Sequence, residues 1–229
     1  MNQYSISDGD KSPKTKRGAR TQAKLLQAAE EEFGALGFHD ASISGITARA
    51  AVALGTFYTY FDSKESVFRA LVGHMGRLTR SWIAARVADA PNRLSAEEGG
   101  LAAFIDFVRQ HRDLYRIVME SQFVAPDAYH AYYEGFAAAY RDNLEDAARR
   151  GEIRAGDSEV RAWALIGMSV FLGMRYAVWH DDRPAADVAA VFRDLVADGL
   201  APKEGGAGEG AAAGNAASGG DARIGKETG

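Results

Sequence analysis

Apolar residues recur at three- and four-residue spacing through most of this chain of 229 residues, and the β-branched alternation of strands is scarce. The five prolines, at 13, 91, 126, 184 and 202, each fall where such a pattern would start or stop. A chain of this kind can bury its apolar side chains only by packing helix on helix, so an all-α fold is expected. From Arg20 to Leu36, the positions Ala23, Leu25, Leu26, Ala29, Phe33 and Leu36 trace one face, and Gly37 is placed to stop the helix. Ser42 can cap a second, short helix over about 43–51. A third runs over 55–61, and Ser63 caps a long fourth one reaching about 88. Further helices are predicted near 96–110, 112–122, 127–150, 158–180 and 185–199, about nine in all.

The predicted organisation is a basic disordered leader over 1–19, a three-helix unit over 20–64 and a helical bundle over 65–200 joined by short loops. From Pro202 onward the composition turns to Gly, Ala, Ser and isolated charges without periodicity, so 201–229 reads as a disordered tail. The sequence contains no cysteine, which excludes disulfides, thiolate zinc sites and thiol catalysis. Met1 to Asp10 lacks the apolar stretch of a secretory signal, so a cytoplasmic location is expected. The uncharged run Ala162 to Met174 is too short to span a bilayer at about 1.5 Å per residue, and a buried helix with no membrane partner is expected there.

Five scattered histidines show no metal-ligand spacing, and no nucleophile elbow, phosphate loop or dinucleotide fingerprint is present. Neither an enzyme nor a bound cofactor or metal is expected. Charge is unevenly spread. The net charge is −4, yet Lys11, Lys14, Lys16, Arg17, Arg20 and Lys24 follow one another with no acidic residue between them. Alone, such a run is a solvated leader. Beside a DNA-binding unit it becomes an arm whose Lys14, Lys16, Arg17 and Arg20 would lie along phosphates or enter a minor groove.

The informative segment is 46–65, ITARAAVALGTFYTYFDSKE. Two short helices around a tight turn fit a helix-turn-helix whose second member enters a major groove about 12 Å wide. That member carries the hydroxyls of Thr56, Tyr58, Thr59 and Tyr60, which suit phosphate oxygens and base edges. Phe57 and Phe61, four apart, read as core residues that lock it down. With Phe33-Gly34 and Gly37-Phe38 before it, the run over Arg20 to Leu71 resembles the DNA-binding domain of the TetR/AcrR family.

That resemblance implies a recognition helix beginning at Gly55, DNA contacts from Thr56, Tyr58 and Tyr60, a phosphate contact from Lys64, and reach to DNA from Ser44. Leu54 and Thr59 sit on the same surface at variable positions, so the target sequence is not readable from them. Ala51 and Ala53 stand where the family often has Gly and Ser, and the second change removes a possible helix cap. The resemblance further implies a dimer built from the last two helices, whose faces carry small residues such as Ala164, Gly167, Ala186 and Ala190. It also implies an effector site among the central helices and a fourth helix that transmits occupancy to the head.

The bundle is rich in aromatic and Met side chains, which are more often core than ligand wall. Together they suggest a pocket for a small apolar or aromatic effector. The residues expected to form it are Trp82, Phe104, Phe107, Met119, Phe123, Tyr133, Phe136, Met168, Phe171 and Arg175, the last offering a fork for an effector carboxylate or phosphate. The expected partners are therefore double-stranded DNA, a second copy of the chain, and this effector. The alternative is a helical adaptor that binds another protein, which would have no use for the hydroxyl-rich third helix.

Overall fold

The computed structural model describes residues 13 and 15–200, and within them the chain is all-α. The predicted tail 201–229 and the leader residues 1–12 and 14, including Lys11 and Lys14, lie outside the described residues. The helices are α1 (Lys16–Asp40), α2 (Ile43–Arg49), α3 (Leu54–Tyr60), α4 (Lys64–Val87), α5 (Arg93–Gln110), α6 (Arg112–Val124), α7 (Pro126–Arg149), α8 (Ser158–Gly173) and α9 (Ala185–Leu200). A π-helical turn, Met174–Trp179, extends α8.

The first helix begins earlier than expected because the Thr15 hydroxyl accepts from the Gly18 amide at 3.0 Å, which orders Lys16–Ala19 as its first turn. These residues were expected in the disordered leader. The expected stop at Gly37 is a kink, with φ 76° and ψ 171°, after which one more turn follows. Ser42 caps α2 and Ser63 caps α4 in a reciprocal capping box with Ser66. The fifth helix starts at Arg93 because the Asn92 side chain accepts from the Ser95 amide at 2.9 Å.

The turn between α2 and α3 carries both departures noted in the sequence. Ala51 has φ 53°, the left-handed region where a Cβ is strained, and Ala53 gives α3 no side-chain cap. Relief of that strain, less the unfolded-state entropy of glycine, leaves a net gain of about 0.5–1 kcal/mol for Ala51→Gly. A thermal melt should therefore show the variant rising by about 1–4 °C. An unchanged or lower midpoint would mean that the turn is not strained in solution.

Two apolar clusters make the core. One holds Leu25, Phe33, Phe38, Ile46, Phe57, Phe61, Phe68 and Leu71 and continues into Phe107, Leu114, Ile117 and Val118, so the head helices share their core with α4, α5 and α6. The other joins α5, α7, α8 and α9 through Leu101, Ile105, Leu144, Leu165, Val188 and Phe192.

The α8 segment departs from expectation. With its π turn it runs unbroken over Ser158–Trp179, 22 residues that include an 18-residue stretch of mean hydropathy 1.3, which is long and apolar enough to cross a membrane by length and composition alone. Nor is it a buried helix. Ala162, Leu165, Ile166 and Gly173 pack inward, but Val160, Trp163 and Phe171 are exposed, Phe171 by 67%, as are Val191 and Leu195 of α9. A helix flanked by one layer on one side only can bury one face, and the other remains uncovered in a single chain.

Candidate functional site

The nucleic-acid face is assembled on α3. Seven residues are too few for a stable isolated helix, so its position depends on anchoring. Phe57 and Phe61 supply that anchoring, each fully buried. Their burial turns Leu54, Gly55, Tyr58 and Thr59 outward, with Thr56 and Tyr60 half-buried at the edges. Tyr58 is 47% exposed and braced edge-on against Phe57 at 5.5 Å between ring centroids. The Thr59 hydroxyl donates to the Gly55 carbonyl at 3.3 Å. Ser44 is exposed at the start of α2, its Oγ 3.1 Å from that of Ser42.

The α1 N-terminus borders this face. The Tyr60 hydroxyl lies 3.4 Å from where a Cβ on Gly18 would stand, so the exposed Lys16, Arg17 and Arg20 flank the C-terminal end of α3. Cations in a helix's first turn oppose its dipole, and α1 has no acidic residue there to offset them. Phosphate would resolve that conflict. The face is held rigid by the Glu32 carboxylate, which is buried and accepts from Arg49 Nε at 2.6 Å. Gly45 makes room for it, since any side chain there would overlap that carboxylate.

Lys64 is a correction. Its ammonium donates to the carbonyls of Phe38 at 2.7 Å, Ala41 at 2.9 Å and His39 at 3.1 Å, and lies 4.5 Å from the Phe38 ring centroid. Its three donors are all used in closing the C-terminal end of α1, where carbonyls lack helical partners, and not at a phosphate.

A second site lies in the bundle. A cavity of about 60 Å³ is enclosed by Ile83, Gly100, Phe104, Tyr115, Val118, Tyr132, Tyr133, Phe136, Tyr140, Ile166, Ser169 and Val170. No charged side chain lines it. Burial pushes the phenols of Tyr115 and Tyr132 up to about 12, and raises those of Tyr133 and Tyr140 as well. All four therefore stay neutral near pH 7 and act as hydroxyl donors. Tyr115 donates to the Val170 carbonyl at 3.1 Å and Tyr140 to the buried Glu97 at 2.6 Å, while Tyr132 is paired with Thr79 and Tyr133 with Tyr129. On the far side of Tyr133, Ile166 and Val170 an open cleft of about 440 Å³ runs between α7 and α8.

Of the expected effector residues, Phe104, Tyr133 and Phe136 line the cavity. The others do not. Trp82 donates its indole N–H to the Ala103 carbonyl at 3.1 Å and packs on Phe107, both serving the core shared with the head. Met119 is half-buried on α6 outside the lining, and Phe123 is 83% exposed at that helix's end. Met168 and Phe171 line a hollow between α8 and α9 that opens to the surface, and Phe171 also borders the open cleft beside Tyr133. Arg175 is paired with Asp182, at 3.3 Å, because the π turn carries it toward the loop before α9. What was missed was partly legible, since Tyr132, Phe136 and Tyr140 form an i, i+4, i+8 stripe on α7.

Cavity and head meet through α6. At the Gly37 kink the ordinary helical bond from the Phe38 amide to the Gly34 carbonyl is lost. Both ends are satisfied from α6: Phe38 N donates to Glu120 Oε1 at 2.9 Å, and Arg116 Nη1 donates to the Gly34 carbonyl at 3.1 Å. The same helix presents Tyr115 and Val118 to the cavity.

Residues 25–71 match the family model of bacterial regulatory proteins, tetR family. The chain is 29% identical over 192 residues to the uncharacterized HTH-type transcriptional regulator YdgC of Bacillus subtilis, covering 82% of this chain and 96% of that one. It is 28% identical over 185 residues to the HTH-type transcriptional activator FasR of Mycolicibacterium smegmatis, covering 80% and 81%. The structure is also similar to the transcriptional regulator FadR from Bacillus subtilis, solved in complex with stearoyl-CoA, with TM-score 0.68, 17% identity and coverage of 77% and 98%. At that identity the likeness is one of fold. The tightly anchored α3 and the matched head sequence agree: residues 25–71 form a DNA-binding head of the bacterial tetR regulatory type, and over about four fifths of its length the chain is similar to HTH-type transcriptional regulators.

Proposed function

We propose that the chain is a cytoplasmic, ligand-responsive repressor that grips a pseudo-palindromic operator as a homodimer and releases it when a small apolar or aromatic effector enters the bundle. The observation that carries the DNA half is the split of α3 into a fully buried side, Phe57 and Phe61, and an outward side, Leu54, Gly55, Thr56, Tyr58, Thr59 and Tyr60. Ser44 and Arg20 flank it. A helix held so firmly by two rings turns its other face outward, where it can meet a groove.

The dimer reading rests on the uncovered apolar face of Trp163, Phe171, Val191 and Leu195, with Gly167 between them allowing close approach. A second copy that buries the same face across a two-fold would carry two α3 helices to successive major grooves, about 34 Å apart. The effector reading rests on the aromatic cavity. Its 60 Å³ is well below the roughly 300–1,000 Å³ that bound ligands occupy. Entry must therefore move the wall. Rotation of Tyr133 would join the cavity to the adjacent cleft, and displacement of Tyr115 and Val118 would shift α6. Because α6 completes the backbone of α1, this helix carries the signal to the head alongside α4, which brings Ile83 to the cavity. Coupling of this kind is typically 1–3 kcal/mol.

The test is fluorescence anisotropy of the purified chain on its own upstream intergenic DNA, at two salt concentrations and against a nonspecific duplex. Selective binding with a stoichiometry of two chains per site is expected. Tyr58→Ala should weaken it about 10- to 100-fold, the worth of a hydrogen bond to a charged phosphate. Equal affinity for operator and nonspecific DNA, with Tyr58→Ala unchanged, would support a protein-binding adaptor instead.

A further inference from the structure

Seven arginines among the described residues are neither buried nor fully exposed. Six of them have an oxygen acceptor: Arg69 on Asp127, Arg93 on Glu97, Arg109 on the Tyr176 carbonyl, Arg161 on the Arg154 carbonyl, Arg175 on Asp182 and Arg193 on Glu98. Arg80 of α4 alone has neither a hydrogen bond nor an ion pair. Its guanidinium instead lies between two helices, 5.3 Å from the centroid of the Phe136 ring. A guanidinium with five donors, partly withdrawn from water and offered no acceptor, is costly to keep.

The seat is built for it. On α4, a Cβ at Gly76 would come within 3.1 Å of Arg80 Nη1, and on the facing α7 a Cβ at Gly135 would come within 3.0 Å of the same atom. Two glycines on opposite helices thus clear the space that the guanidinium occupies. Three residues of the cavity wall surround that seat: Phe136 beneath the guanidinium, Tyr132 against Gly76, and Ile83 one turn further along α4. Burial also lowers the Arg80 pKa, in keeping with a cation that lacks a counter-charge.

We infer that Arg80 is the anchor for an anionic oxygen group on the effector, so that the ligand is amphipathic, with an apolar body in the aromatic cavity and a carboxylate or phosphate at the α4–α7 seam. This rests on the effector reading above and deepens it. The cavity wall itself offers only neutral hydroxyls, so charge recognition has to come from its rim. Arg80 sits on the helix that begins directly after the recognition unit, which places the ligand's charge on an element joined to the head.

The test uses the full-length chain and three probes that share one hydrocarbon body: hexadecanoate, hexadecanoyl-CoA and the uncharged methyl hexadecanoate. Binding is read by titration calorimetry. Wild type should prefer an anionic probe over the ester by about 10- to 100-fold. Preference for hexadecanoate assigns the anchor to a carboxylate, and preference for the CoA thioester, which lacks that carboxylate, assigns it to phosphate. Arg80→Gln should collapse the ratio to about one by weakening the anion alone, and Arg80→Lys should restore part of it. The ester serves as the internal check that each variant is folded, since its affinity should not move. Ester binding equal to both anions in wild type, or a preference that survives in Arg80→Gln, overturns the anchor and leaves the effector cavity standing. Binding of none of the three overturns both the anchor and the cavity as a site for such ligands.

Discussion

Phe57→Ala should cost the head about 3–5 kcal/mol and abolish selective DNA binding, the larger part of that loss coming from packing and not from any contact to DNA. The recognition helix has seven residues and no side-chain cap, and isolated helices of that length do not persist in water. Its orientation therefore comes from the two rings that enter the core, where Leu25, Phe33, Ile46 and Phe68 are buried around them. With Phe57 removed the helix keeps only Phe61, and the space left by the ring exceeds what seven residues can refill by shifting. The neighbouring Tyr58→Ala provides the contrast. Tyr58 is exposed, so its loss should weaken operator binding while leaving stability within about 0.5 kcal/mol, as surface substitutions usually do. Urea unfolding and operator titration of both variants check this together. A Phe57→Ala chain as stable as Tyr58→Ala would mean that the recognition helix is not held by its buried ring.

The same logic explains which parts of the molecule were legible in the sequence. The head is written in local spacing: Phe57 and Phe61 four apart, Ser42 and Ser63 one residue before their helices, and Gly37 where a left-handed residue is required. Each is decided within one or two turns of chain. The wall of the effector cavity is not local. Trp82 and Phe107 are as aromatic as Phe104 and Phe136, but the crossing of α4 with α5 turns the first two into the core shared with the head. Phe123 is apolar yet stands exposed, because α6 ends one residue beyond it.

The charged residues misled for a related reason. Lys64 stands where the family resemblance puts a phosphate contact, yet the kinked end of α1 offers it three carbonyls at hydrogen-bonding distance. Arg175 follows an apolar run, yet its partner Asp182 is only seven residues further on. In both cases an acceptor delivered by backbone folding takes the cation before any ligand arrives. Arg80 is left as the exception, and nothing in its sequence neighbourhood marks it. The glycines that seat it are 4 residues before it on its own helix and 55 residues after it on α7.

Glu120→Ala should uncouple the bundle from the head. The Phe38 amide lost its helical acceptor at the Gly37 kink and donates instead to Glu120 Oε1, while the second carboxylate oxygen of Glu120 is buried without a hydrogen-bond partner. Truncation leaves the amide orphaned, at a cost of about 1–3 kcal/mol, but also removes the unpaired buried oxygen, a penalty of the same order. Global stability should therefore change little. The local effect has no such offset. Exchange of the Phe38 amide with deuterium should quicken by about 10- to 100-fold, because the bond that closes the kink is gone. Arg116 still holds the Gly34 carbonyl, so the end of α1 loosens without detaching. If α6 carries the effector's signal, the difference in operator affinity between free and liganded protein, about 1–3 kcal/mol for couplings of this type, should shrink toward zero. Full effector response in a variant whose Phe38 amide exchanges freely would place transmission on α4 alone, through Ile83 and the helix that begins at Lys64.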